Sequence, residues 1–517
     1  MNNFLKLISK NEEKIKVLFI LYAIYCSIKI GVSWDEKYYQ IIGKINLDYL
    51  LSFGAIDENF FSKYRYSTMY WSLASLISQI APQKFSIEIF HLINTFFGLL
   101  TIVGVYQVIK KIFNKKIAKI SSILLFFTPF FFGHLAINNK DIILAFSHIW
   151  IIYYIWKYSL REYNFKIKIF ILLKLSLLSA LGTGVQLFFL GSLLPILLIF
   201  IINLFFFKNR NLKVIILDFL IYLTLFYIVL MVFWVDAHEN IFLQPFNFFI
   251  SILNQPLGWP FNLLNGAYFS SRDIPNNYLL VNYIYKLPEF FLFLYLISIP
   301  LIAINFKKLK NEIKNFNIIF ISVLVLLIYP NIVLFFIPFA IYDGVRLFLW
   351  SVPYLLVIPS ITIFLILRSN YIFLKYISLL LFIFHLINFI TITPYHYTYL
   401  NILSGPKNER YKKFENDYWS TSLKELVNSS NLNENKINYH TCGVSPEIVK
   451  NYMKKKYKRS EFTNLNSSTY IIMTNRTLFS EKDKKISNCF DEYFTENVHQ
   501  VVRNGIVLSA IKKINHE

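Results

Sequence analysis

The chain has 517 residues, of which 56% are hydrophobic and only 16% charged, with 53 Phe, 35 Tyr and a formal net charge of +22. Soluble domains carry about 25% charged residues, so this composition, with a mean hydropathy of +0.48, excludes an ordinary soluble enzyme. The positive charge does not point to nucleic acid either, because much of the Lys and Arg falls in short connectors between apolar runs and no nucleic-acid-binding signature is present.

Eleven apolar stretches follow one another along the chain, at 15–32, 88–109, 117–134, 141–157, 168–183, 185–207, 213–235, 288–306, 317–338, 345–367 and 371–392. They are near the length that spans a bilayer and lack period-2 alternation, so membrane-spanning helices are predicted rather than a barrel. The only break between the fifth and sixth is Gly182-Thr183-Gly184, which reads as a tight outer turn. With that turn, every second connector is basic: Lys6 to Lys16, Lys110 to Lys116, Lys157 to Lys168, Lys208 to Lys213, Lys307 to Lys314, and Arg368 with Lys375. The pattern predicts a cytoplasmic N-terminus. Merging the two stretches would put later basic connectors outside. The first apolar run has no small-residue cleavage site, so it reads as a span rather than a signal peptide.

The outer segments are then 33–87, 135–140, 236–287, 339–344 and the tail from 393. In the first, Ser33-Trp34-Asp35-Glu36 follows the first span at once, and carboxylates at a membrane boundary are either helix-end caps or functional groups. The same loop carries Tyr38, Tyr39, Lys63, Tyr64, Arg65 and Tyr66, and residues 37–53 and 67–81 read as amphipathic surface helices. Gly133-His134 and Asn138-Asn139-Lys140-Asp141 lie at the turn before the fourth span. There Lys140 at a helix start suits an anionic phosphate, or Asn139 or Asp141 caps the helix while Lys140 snorkels. In the loop at 236–287, Asp236, His238 and Glu239 are three metal-ligand types that would need partners elsewhere. Before the tenth span come Tyr342, Asp343, Gly344 and Arg346; the Arg is either paired locally with Asp343 or a bidentate phosphate clamp. No Walker loop, dinucleotide fingerprint, HExxH or nucleophile elbow is present.

The tail, 393–517, reads as a small external α/β domain behind a transmembrane core at 1–392. Helices are predicted at 417–429, capped by Asp417, and at 446–457, with strands at 436–442 and 469–474 and a hairpin at 498–512 around Asn504-Gly505. Cys442 and Cys489 share this external segment, and sequence leaves open whether they pair.

Together these motifs resemble the GT-C glycosyltransferases, and within them glycosyltransferase family 39 and its bacterial relatives, which include protein O-mannosyltransferases and lipid A aminoarabinose transferases. The resemblance rests on residues 31–36 (GVSWDE), on Phe132-Gly133-His134 through Asp141, on residues 342–348 (YDGVRLF), on residues 395–401 (YHYTYLN) and on Asp417-Tyr418-Trp419. Asn139 stands where the bacterial pattern has Pro, while the Lys and Asp of that pattern are kept. The resemblance implies a polytopic α-helical GT-C fold of about eleven transmembrane helices in a bacterial inner membrane, with a periplasmic C-terminal domain. It implies sugar transfer, with inversion, from a polyprenyl-phosphate-linked donor to a protein, lipid or glycan acceptor at the outer face. Asp35 would be the general base, and Glu36 would orient the acceptor or join Asp35 in holding a divalent cation, Mg or Mn, if one is used. Lys140 and Arg346 would bind the donor phosphate, supported by Asp141, Asp343, Tyr342, Arg65 and His134. The alternative is a transporter or flippase of lipid-linked saccharides, which would place charges near the bilayer midplane and repeat its halves. Here the predicted spans are almost free of charge, Asp218 being an exception, and no repeat is visible.

Overall fold

The computed structural model describes residues 11–55, 67–160, 163–202, 204, 211–254, 258–336, 340–432, 436–480, 484–493, 495 and 497–514. Each of the eleven apolar stretches carries helix. They are Glu12–Lys29, Ser86–Ile112, Lys115–Phe126 with Pro129–Phe132, Asp141–Leu160, Phe165–Val185, Phe189–Ser192 with Leu194–Ile202, Leu212–Val232, Glu289–Glu312, Phe316–Phe336, Val352–Leu355 with Val357–Arg368, and Ile372–Thr391. Among the described residues, six helices are long and apolar enough to cross a membrane by length and composition. The chain is an integral membrane protein.

Two breaks are informative. The third stretch stops at Phe126 because Pro129 opens a new turn, with Thr128 held extended before it. That turn delivers Gly133 against the backbone of the tail, where a Cβ would lie 2.1 Å from Tyr397 N, so no larger residue fits. The expected outer turn at Gly182-Thr183-Gly184 is instead helical, and the chain reverses after Val185. Gly182 is small for a different reason: a Cβ there would sit 2.4 Å from the Phe189 ring, so the glycine lets the returning segment pack closely.

The loop at 33–87, expected to be outer, forms helices Glu36–Leu51 and Met69–Ser78. They pack through Tyr39 stacked on Trp71 at 4.4 Å, and through Gly43, whose Cβ would lie 2.4 Å from Trp71 O. The other side of the first helix exposes Tyr38, Ile41 and Leu51, apolar groups suited to an interfacial position. In the second large loop, strands β1 (Phe261–Leu264) and β2 (Ala267–Ser270) form a hairpin turned at Asn265-Gly266, both with positive φ.

The tail folds around five strands. These are β3 (Ile437–Cys442), β4 (Ser460–Phe462), β5 (Tyr470–Thr474), β8 (Asn497–Arg503) and β9 (Ile506–Lys513), in the order β4-β3-β5-β9-β8. β3 runs parallel to β4 and β5, and β9 is antiparallel to both its neighbours. A small hairpin of β6 (Thr477–Ser480) and β7 (Lys485–Asn488) follows β5. Cys442 and Cys489 form a disulfide. The helix expected from 417 begins only at Leu423, because the Asp417 carboxylate takes the Thr421 and Ser422 N–H groups ahead of it and Ser420 turns with φ 59°. The tail grips the junction between the first apolar stretch and the loop at 33–87. Gly31 N–H donates to Thr421 O at 3.1 Å, Val32 N–H to Tyr452 Oη at 3.1 Å, and Trp34 Nε1 to Ser420 Oγ at 3.1 Å.

Candidate functional site

Four separate segments meet around the guanidinium of Arg346. This residue opens the tenth apolar stretch in a 3-10 turn, Arg346–Ser351, and is buried. Asp343 and Gly344 precede it with φ of 61° and 68°, a left-handed pair held by Gly344 N–H donating to Tyr278 Oη at 2.9 Å. The turn aims the Asp343 carboxylate back at Arg346, with Oδ2 3.5 Å from Nη2.

Asp141 Oδ2 approaches Arg346 Nε to 3.8 Å and Asp35 Oδ2 approaches Nη1 to 4.0 Å. Asp141 and Asp343 are buried, whereas the Asp35 side chain is 52% exposed. All three contacts are at ion-pair rather than hydrogen-bond distance, and Arg346 Nε makes no hydrogen bond among the described residues. The guanidinium instead lies against the Tyr342 and Trp419 rings, its Cζ 4.8 Å from each ring centroid. A cation so enclosed and loosely paired keeps donors for an anion.

The helix start before Asp141 is capped by Asn138, not by Asn139 or Asp141. Its Oδ1 accepts the Lys140 and Asp141 N–H groups at 3.2 and 2.9 Å, and its Nδ2 donates to Asp141 Oδ2 at 2.8 Å. The cap fixes Asp141 toward Arg346 and places the Lys140 ammonium 5.6 Å from the Tyr39 ring centroid. His134 lies one layer behind, its Nε2 2.9 Å from Tyr418 Oη and its ring 5.6 Å from that of Tyr397.

Asp35 and Glu36 part company. Glu36 is buried, accepts the Ser33 N–H at 2.6 Å and lies 2.7 Å from His91 Nε2, whereas Asp35 faces Arg346. The two carboxylates thus have different partners, and among the described residues no three His, Cys, Asp or Glu side chains cluster as metal ligands. Asp236, His238 and Glu239 form no such cluster, and His238 is spent on Met231 O at 2.8 Å. Arg65 lies outside the described residues.

No protein-family model matches the chain, and no curated protein sequence matches it. Its structure is similar to that of ArnT from Cupriavidus metallidurans in the apo state, over 97% of this chain and 98% of that one, with a TM-score of 0.50 at 10% identity. ArnT from the same organism bound to undecaprenyl phosphate aligns over 96% and 98%, with a TM-score of 0.49 at 10% identity. An oligosaccharyltransferase of Archaeoglobus fulgidus aligns over 88% of this chain and 65% of that one, with a TM-score of 0.46 at 11% identity. The chain has the GT-C fold.

On this GT-C scaffold the structure adds residues that the sequence did not single out. Lys286, just before the eighth apolar stretch, is buried with its Nζ where a Gly344 Cβ would be 2.2 Å away, and 5.6 Å from the Tyr418 ring centroid. Among the described residues it has no ion pair. Burial pushes its ammonium down to about 8, against the pull of Asp343 and Glu415. Arg476, between β5 and β6, reaches from the tail to place Nη1 2.5 Å from Asp343 Oδ1 and 3.5 Å from Glu415 Oε1, its guanidinium 4.4 Å from the Trp259 ring. Burial raises the Glu415 carboxyl above its usual range while Arg476 pulls it down. The basic-inside reading of the connectors puts Lys286 on the side expected to be outer, against the trend for lysine, and that was the available signal for it. Arg476 and Glu415 carry none, since only tertiary folding brings the tail here.

Proposed function

We propose that this protein transfers a sugar from a polyprenyl-phosphate-linked donor to an acceptor at the outer face of the membrane, with Asp35 as general base. One observation carries the reading: Asp35, Asp141 and Asp343, from three distant outer segments, surround the loosely paired Arg346 guanidinium. A lipid-linked phosphate lies at headgroup level, where Arg346 and Lys140 flank the ends of apolar stretches. Asp35, half exposed at the rim, is reachable by an acceptor from water.

In the reaction, a carboxylate oxygen of Asp35 takes the proton of an acceptor hydroxyl or amine as that atom attacks the anomeric carbon. The bond from the anomeric carbon to the phosphate oxygen breaks, its electron pair stays with the lipid phosphate, and the configuration inverts. Arg346 and Lys140, with Lys286 behind them, stabilise the charge gathering on that phosphate. Asp141 orients Arg346, and Tyr342 and Trp419 shield it from water. Glu36 acts at one remove. By holding the Ser33 N–H and facing His91, it fixes the turn that presents Asp35.

The transporter reading gains nothing from the spans. Asp218, their notable charge, is satisfied by Lys168 at 2.7 Å and by the Tyr158 hydroxyl at 2.6 Å. The reading is tested by incubating the purified protein with a panel of polyprenyl-phosphate sugars and candidate acceptors; turnover with release of polyprenyl phosphate supports it, and lipid movement without glycosidic cleavage opposes it.

A further inference from the structure

Asp343 stands between two guanidinium groups and treats them unequally. Its Oδ1 is 2.5 Å from Arg476 Nη1, while its Oδ2 stays 3.5 Å from Arg346 Nη2. Arg476 belongs to the C-terminal domain, and everything around it fixes its direction. Its guanidinium lies 4.4 Å from the Trp259 ring and 6.0 Å from the Tyr418 ring, and Glu415 Oε1 reaches the same Nη1 at 3.5 Å. Glu415 is itself held by the Thr477 N–H and Oγ1, both at 2.9 Å. Behind the arginine, a Cβ on Gly443 would lie 2.4 Å from Arg476 Cβ and 2.9 Å from the disulfide sulfur of Cys489, so the stapled end of β3 backs the side chain.

We propose that Arg476 is a positioning residue, supplied by the C-terminal domain, that holds Asp343 and so keeps the Arg346 guanidinium available to a donor phosphate. The physical reason is competition. Asp343 is buried, and a buried carboxylate stripped of one cation must draw in another. The cations nearest to it are Arg346 and Lys286, both of which face the site. Without Arg476, Asp343 closes on Arg346 as a full ion pair and withdraws from it the donors that a phosphate needs. The tail domain is then part of the binding site rather than a cover over it.

The inference rests on the donor-phosphate reading above, and the experiment separates the two. Full-length protein in detergent is titrated with undecaprenyl phosphate, and with undecaprenol as the phosphate-free control, following intrinsic tryptophan fluorescence. Wild type binds the phosphate more tightly than the alcohol; equal binding overturns the donor reading and this inference with it. Arg476→Gln weakens undecaprenyl phosphate binding about tenfold, the scale of one charge-assisted contact, and leaves undecaprenol unaffected. Adding Asp343→Asn to that variant removes the competitor and restores affinity to within about threefold of wild type. Melting temperatures of the single and double variants in the same detergent are read alongside, because neutralising Asp343 also relieves an unpaired buried charge; an affinity that falls and recovers only in step with the melting temperature overturns the inference. Where Arg476→Gln yields no folded protein, Trp259→Leu loosens the same guanidinium and is expected to be rescued in the same way. Unchanged affinity in Arg476→Gln, or a double variant no tighter than the single one, overturns the inference.

Discussion

Glu36 Oε1 lies 2.7 Å from His91 Nε2 in a buried pair between the first outer loop and the helix Ser86–Ile112. Ser33 N–H donates to the other carboxylate oxygen at 2.6 Å, so one side chain ties the loop entry both to itself and to the core. Asp35 is left on the opposite assignment, facing Arg346 at the exposed rim.

Removing the buried partner leaves His91 enclosed without its carboxylate. Glu36→Ala is expected to cost roughly 3 kcal/mol of stability. Asp35→Asn, at a half-exposed site, is expected to cost under about 0.5 kcal/mol. Melting curves of the two variants in one detergent check this, and a Glu36→Ala protein as stable as Asp35→Asn would contradict the structural role of Glu36.

Arg346 and Lys140 come to the site from different apolar stretches and serve the same anion in the proposed reaction. Arg346→Ala and Lys140→Ala are each expected to raise the donor KM by about 10- to 100-fold, the loss of hydrogen bonds to a charged group. Steady-state kinetics at fixed acceptor measure it. A donor KM unmoved in both variants removes the phosphate clamp.

Lys286 gives the site a pH dependence with two opposite signs. Burial holds its ammonium down to about 8 in the fold, whereas an exposed lysine keeps its proton to about 10.4. Between those values the unfolded chain binds the extra proton, so the Lys286 contribution to stability rises with pH across that window. The cation itself is lost as pH rises through about 8, so affinity for undecaprenyl phosphate falls over the same range. Lys286→Met is expected to flatten both trends. Titrations and melting curves at pH 7 and 9.5 check this, and a wild-type affinity that rises with pH runs against the assignment.

Much of the architecture was legible because bilayer-length apolar stretches and basic connectors leave a strong signal in composition. The motifs at Asp35, Lys140-Asp141 and Asp343-Arg346 stood out for the same reason, as charges beside apolar runs. What stayed illegible depends on directions and on tertiary contacts. Two adjacent carboxylates look alike in sequence, yet a helix start sends Glu36 toward His91 and Asp35 toward Arg346. The glycines at 182 and 184 looked like a turn but serve close packing inside a helix. Asn265-Gly266 is a recognisable hairpin signal, but its flanks (FNLL and AYFS) do not alternate, so β1 and β2 did not stand out. Arg476 and Glu415 could not be read at all, because their meaning arises only when the tail folds back onto the core.

Asp35 carries the proton transfer in the proposed reaction. The direct measurement is sugar transfer from a polyprenyl-phosphate sugar by purified wild type and Asp35→Asn, matched for expression and melting temperature. Loss of the general base is expected to lower kcat by about 100-fold or more while donor binding persists; Asp35→Asn turning over at the wild-type rate contradicts the account.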